Sequence, residues 1–182
     1  MSEADGKYIL WFDEISKEQV PLVGGKSASL GEMYHRTKVP VPYGFATTSA
    51  AYWHFIKEAR LEEKLAEILA DLKDPNDTQT LQRVGKAIRK TIVEAKMPQD
   101  LEEEIKQYYR ELASRYGAED PFVAIRSSAT AEDLPDASFA GQQETYLNVQ
   151  GEEMVVEKVK ECYSSLFTDR AIFYRVQKGF DH

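Results

Sequence analysis

The spacing of apolar positions changes along the chain, and the changes mark its elements. Tyr8-Ile9-Leu10-Trp11-Phe12 is an unbroken apolar run, short and rich in aromatics, which predicts a buried strand. After a polar stretch comes Val23-Gly24-Gly25-Lys26-Ser27, followed by a helical pattern through Leu30 and Met33. Val39-Pro40-Val41-Pro42-Tyr43-Gly44 cannot be helical, because each proline lacks an N–H and restricts the residue before it. Phe45-Ala46-Thr47 reads as a second short strand, and Thr48 or Ser49 can cap a helix running to about Ala59.

The middle third repeats with a helical period. Leu61, Leu65, Ile68, Leu69 and Leu72 form one stripe, which Asp74-Pro75-Asn76 ends. Asp77 or Thr78 caps the next helix, with Leu81, Val84, Ile88 and Ile92 inward. Pro98 opens another, whose expected buried face is Leu101, Ile105, Tyr108, Leu112 and Tyr116. At Pro121 the character changes. Phe122-Val123-Ala124-Ile125 is a β-type run that stops at Arg126, and Glu144 to Val149 reads as a strand returning from a long loop. Helices are expected from about Glu152 to Phe167 and from Asp169 to about Lys178. The fold class these elements predict is α+β: a small mixed sheet with many helices, in which the strands include Tyr8–Phe12, Phe122–Arg126 and Glu144–Val149.

Composition narrows the functional classes. The 182 residues are 42% hydrophobic, enough for a real core, and carry 31 acidic against 23 basic side chains, a net charge of −8. That balance repels nucleic-acid backbones and anionic membranes, so neither is an expected partner. Locally clustered cations can still hold a small phosphate. The single cysteine, Cys162, rules out an intramolecular disulfide and cysteine-rich zinc sites, and its helical neighbours Val155, Val159 and Leu166 place it in the core. The first residues, Met1-Ser2-Glu3-Ala4-Asp5, lack the pattern of a secretion signal, and no apolar run reaches the roughly 20 residues that cross a bilayer. The expected location is the cytoplasm.

Two segments invite a phosphate. In Gly24-Gly25-Lys26-Ser27, paired glycines let backbone amides converge at a helix start, and Lys26 adds a full positive charge. It is not a Walker A loop, which needs glycine where this chain has Val20. A plain glycine turn with a solvated lysine reads equally well. The second segment runs from Ile125-Arg126-Ser127-Ser128-Ala129-Thr130-Ala131-Glu132-Asp133 to Ser138-Phe139-Ala140-Gly141-Gln142-Gln143-Glu144-Thr145. A loop this long inside a compact domain is usually functional or disordered. The guanidinium of Arg126 suits bidentate phosphate contacts, the serines supply donors, and Ala140-Gly141-Gln142 suits a flap. An arginine paired with Glu132 or Asp133 for structural reasons is the equal alternative from these residues. Glu102-Glu103-Glu104 reads as a solvated face rather than a metal site.

These segments together resemble the phosphoenolpyruvate synthase family. Gly24-Gly25-Lys26-Ser27-Ala28-Ser29-Leu30-Gly31-Glu32-Met33 is similar to the opening motif of that family, and Val41-Pro42-Tyr43-Gly44-Phe45-Ala46-Thr47-Thr48 to the segment that follows it. The stretch from Ile125 to Val149 is close to its signature, and Ser165-Leu166-Phe167, Arg170-Ala171-Ile172 and Tyr174-Arg175 resemble its next block. The likeness covers nearly the whole chain. Nearer alternatives within the same likeness are the rifampin phosphotransferases. Pyruvate, phosphate dikinase is a more distant one, its arginine motif usually lacking the paired serines followed by Ala-Thr-Ala-Glu-Asp. A non-catalytic nucleotide-responsive module is the alternative from another class.

The resemblance implies that residues 1–182 form the first lobe of an ATP-grasp-like nucleotide-binding domain, truncated at its C-terminal end. It implies an enzyme that cleaves ATP to AMP, phosphate and a phosphohistidine, which then converts pyruvate to phosphoenolpyruvate. On that basis Lys26 and Arg126 are the catalytic cations that hold and polarise the phosphates, with Ser127, Gly141, Gln142, Gln143 and Thr145 as further ATP-binding positions. The family's second lobe, which supplies acidic magnesium ligands, its phosphohistidine domain and its pyruvate-binding domain are expected beyond this stretch. No metal ligand is expected within it. His35, His54 and His182 lie outside any carrier-histidine context and are expected to be structural or at the surface.

Overall fold

The first apolar run forms β1 (Ile9–Trp11), buried along its length, and pairs antiparallel with β2 (Phe45–Thr47) in the register Ile9–Thr47, Leu10–Ala46, Trp11–Phe45. The computed structural model describes residues 6–36, 40–129 and 144–178. Alternate side chains of a strand point to opposite faces, and β1 uses both faces. Ile9 enters a large core with Phe55, Val84, Ile88, Leu101, Ile105 and Val155. Leu10 enters a small one with Ile15, Val23, Ala28 and Ala46, which fastens α1 (Val20–Arg36) to the strand pair. Phe12 continues as a short 3-10 turn rather than as strand.

The large core is built by helices. Thr48 caps α2 (Ser49–Glu58), its hydroxyl accepting from the Ala51 amide. Arg60, at φ 52°, turns the chain into α3 (Leu61–Ala70). Asp77 caps α4 (Thr78–Glu94), which buries Leu81, Val84, Ile88 and Ile92 at the spacing its sequence predicts. Helix α5 (Gln99–Tyr116) stops at Gly117, which adopts the left-handed conformation that favours glycine. β3 (Val123–Arg126) and β4 (Thr145–Val149) pair antiparallel and lie on α6 (Glu152–Ser164), which a 3-10 turn joins to α7 (Asp169–Lys178).

The α+β class holds, with differences in detail. Among the described residues the strands form two separate antiparallel pairs rather than one mixed sheet. The β1–β2 pair packs on α1 through Leu10 and Ala46 and on the large core through Ile9, whereas the β3–β4 pair lies on α6. On α5 the inward position is Tyr109 rather than Tyr108, since Tyr109 follows Ile105 by four residues. Tyr108 packs on Trp11 and Phe45 at the margin. Tyr116 is 53% exposed, one turn past the core, where its hydroxyl accepts a hydrogen bond from the Tyr43 amide at 2.7 Å. The strand before Arg126 is only half-buried: Val123 and Ile125 pack inward, whereas Phe122 is 68% exposed.

Candidate nucleotide site

Lys26 and Arg126 are separated by a hundred positions, and the tertiary structure brings the backbone segments that carry them into contact. α1 is kinked at Gly24, which takes φ 77° and ψ 166°, a conformation L side chains rarely adopt. A Cβ there would also lie 2.5 Å from Ser128 Oγ and 2.7 Å from the Ser128 carbonyl. The regular part of α1 therefore begins at the second glycine of the motif, and Lys26 stands exposed in its first turn. A cation in the first turn of a helix faces the positive end of the helix dipole.

Against this turn lies the segment after β3. Ser128 Oγ accepts from the Ser27 amide at 3.2 Å and donates to the Val23 carbonyl at 2.8 Å. The Gly25 amide donates to the Ala129 carbonyl at 3.4 Å. The glycine motif allows two readings, converging amides for a phosphate or a plain glycine turn; the structure commits the Gly25 and Ser27 amides to this internal contact. What the turn offers outward is the Lys26 side chain.

Arg126 ends β3, exposed, and is paired in register with Thr145, the first residue of β4. The next residue closes the ladder: the Ser127 amide donates to the Glu144 carbonyl at 3.2 Å. Ser128 and Ala129 follow directly and lie against the Lys26 turn. Gly141, Gln142 and Gln143 lie outside the described residues. Ser127 is 8% exposed, and its hydroxyl makes no hydrogen bond among the described residues. A buried hydroxyl without a partner costs stability unless something else satisfies it.

A cavity of about 390 Å3 lies beside the start of β4, lined by Glu144, Tyr146, Glu161, Ser165, Asp169 and Arg89. Arg89 Nη1 donates to Asp169 Oδ1 at 2.8 Å and to the Phe167 carbonyl at 2.7 Å. Arg89 lies on α4. Its single signal, a cation on an otherwise apolar-and-polar helix face, has no local meaning until β4 and α7 fold beside it. Burial, with Glu161 and Glu144 nearby, pushes the Tyr146 hydroxyl well above its ordinary pKa, so it stays protonated. Cys162 is buried and its thiol is pushed up to about 12 by burial and the same two carboxylates, which makes it a core residue and a poor nucleophile.

Among the described residues no group of three or more His, Cys, Asp or Glu side chains is placed to hold a metal ion, and no helix is long and apolar enough to cross a membrane. His54 is not near this site: it stacks on Tyr8 and lies 3.0 Å from Asp100.

The sequence matches the family described as pyruvate phosphate dikinase, AMP/ATP-binding domain, over residues 20–182. It is 56% identical over 176 residues to a protein of Methanocaldococcus jannaschii named probable phosphoenolpyruvate synthase, covering 97% of this chain and 15% of that one. It is 51% identical over 177 residues to the phosphoenolpyruvate synthase of Aquifex aeolicus, covering 96% and 21%. To that of Synechocystis sp. it is 52% identical over 181 residues, covering 96% and 22%. The chain spans less than a quarter of the length of these three relatives.

Proposed function

This chain belongs to the pyruvate phosphate dikinase AMP/ATP-binding domain family, and we propose that it forms the nucleotide-binding part of a phosphoenolpyruvate synthase. In such an enzyme ATP, pyruvate and water become AMP, phosphate and phosphoenolpyruvate through a phosphohistidine. The observation that carries this reading is the contact between the Lys26 turn and the Arg126 strand end, made by Ser128 and Ala129. Two cations on adjoining, hydrogen-bonded backbone are suited to the triphosphate, because positioning and charge neutralisation supply most of the catalysis in phosphoryl transfer.

Each residue then has a physical task. Lys26 and Arg126 hold and polarise phosphate oxygens, Lys26 as a point charge and Arg126 through its planar fork. We assign Ser127, whose hydroxyl makes no hydrogen bond among the described residues, a donor role toward the nucleotide. Thr145, across the ladder from Arg126, supplies the near end of a flap that continues through Gly141, Gln142 and Gln143. Lys26, Arg126, Ser127 and Thr145 are cations and hydroxyls, which suit phosphate oxygens. On this reading the carboxylates that would hold magnesium, the phosphohistidine domain and the pyruvate-binding domain belong to other parts of the enzyme, with residues 1–182 as the first lobe of an ATP-grasp-like domain. The cytoplasm, where ATP and pyruvate meet, is the compartment this reading implies.

Calorimetric titration of this chain with Mg-ATP tests the reading. The expected result is weak binding, since contacts near solvent lose much of their gain to screening and ordering, abolished by Lys26→Ala and by Arg126→Ala, with no pyruvate-dependent release of AMP. Binding that survives both substitutions overturns the assignment of the site. Pyruvate-dependent AMP release by the chain alone overturns the division of labour between lobes.

A further inference from the structure

We infer that Ser128 is the positioning residue of this site, a clasp that sets the spacing between Lys26 and Arg126 before any nucleotide arrives. The inference rests on the nucleotide reading above and adds to it a residue that does not itself touch the ligand. Ser128 lies two residues after Arg126, and the amide it holds, that of Ser27, belongs to the residue next to Lys26. Its hydroxyl is used in both directions, accepting from Ser27 and donating to the Val23 carbonyl on the other side of the kink. One side chain thus grips the glycine turn before and after Gly24.

The turn is shaped to receive it. Gly24 is the point of closest approach, where a Cβ would collide with Ser128 Oγ and with the Ser128 backbone. The positive φ of Gly24 aims the Val23 carbonyl and the Ser27 amide at the same oxygen. Holding two segments from distant parts of the chain in one arrangement costs conformational entropy. Hydrogen bonds to a rigid backbone meet that cost in the folded protein, so binding does not have to. Alanine at 128 would remove the acceptor and the donor together. Threonine would keep both.

Amide hydrogen exchange and a Mg-ATP titration, each followed by NMR on the whole 182-residue chain, test the clasp. In the wild type without nucleotide, the Ser27 amide is expected to be protected; a freely exchanging Ser27 amide overturns the inference whatever any variant does. Ser128→Ala is expected to free the Ser27 amide, leave protection in α4 and α5 unchanged, and weaken Mg-ATP binding at least about threefold, since both of its hydrogen bonds are lost. Ser128→Thr is expected to restore both. Unchanged affinity in Ser128→Ala, or protection lost throughout the molecule, reduces Ser128 to an ordinary structural residue and overturns its positioning role. A wild type with a protected Ser27 amide and no response to Mg-ATP overturns the nucleotide reading instead, and the positioning role falls with it.

Discussion

Single side chains carry connections here that no stretch of neighbours could supply. Thr48 is one of them. It is 2% exposed, its hydroxyl donates to the Lys7 carbonyl at 2.7 Å while accepting from the Ala51 amide, and its own amide donates to the Tyr8 carbonyl at 2.9 Å. It therefore caps α2 and ties that helix to the chain entering β1. Thr48→Ala is expected to lower unfolding stability by about 2 kcal/mol, near the upper end for a lost helix cap because the bond to the Lys7 carbonyl is lost as well. Denaturant melts measure this directly. Capping by Thr48 was legible from its position before an apolar helical pattern. The second bond, to Lys7, was not, because it joins residues 41 positions apart.

At the scale of elements, hydrophobic period decided almost everything that faces the core. The inward residues of α4 fell where a 3.6-residue repeat puts them, and Ile88 is fully buried in the large cluster. Ile88→Ala is expected to cost about 2–5 kcal/mol, the range for deleting a large aliphatic side chain from a closely packed site. Circular dichroism should show native helix content with a lowered melting temperature. By contrast α3 buries only Leu61 and Leu65. Period failed at the ends of elements. Tyr116 continues the α5 stripe in sequence, yet the core has already ended beneath it. Phe122 looks like the start of a buried strand, yet β3 rests on α6 by one face alone.

Across the whole molecule, carboxylates join elements that packing alone would leave loose. Asp100, at the start of α5, receives a hydrogen bond from His54 of α2, and this contact with the Leu101 amide holds its carboxyl below the ordinary 3.8. Glu14 is partly buried, which raises its pKa, but bonds from the Trp11 amide and Lys7 outweigh burial and leave it lowered from 4.5. A carboxyl depressed in the folded state contributes stability that is present above its unfolded pKa and is lost as pH falls through the folded value. Stability should therefore hold from neutrality to about pH 5 and decline below about pH 4 as these groups bind protons. Asp100→Asn should flatten part of that decline. An acid limb identical in the variant would show that Asp100 does not contribute to it.

The sequence by itself determined the local structure and the family: helix faces, caps, the α+β class and the motifs around Lys26 and Arg126 follow from residues near one another in the chain. Short-range sterics and hydrophobic period act over a few positions and can be read without a fold. Only the tertiary structure decided what those motifs do to each other. Whether the glycine-turn amides face a ligand or the protein depended on Ser128 and Ala129 arriving from a hundred residues away. Whether the strands form one sheet or two depended on what each pair packs against. Such contacts are selected by the packing of the whole molecule, in which each segment's choice depends on every other, and no local pattern contains that sum.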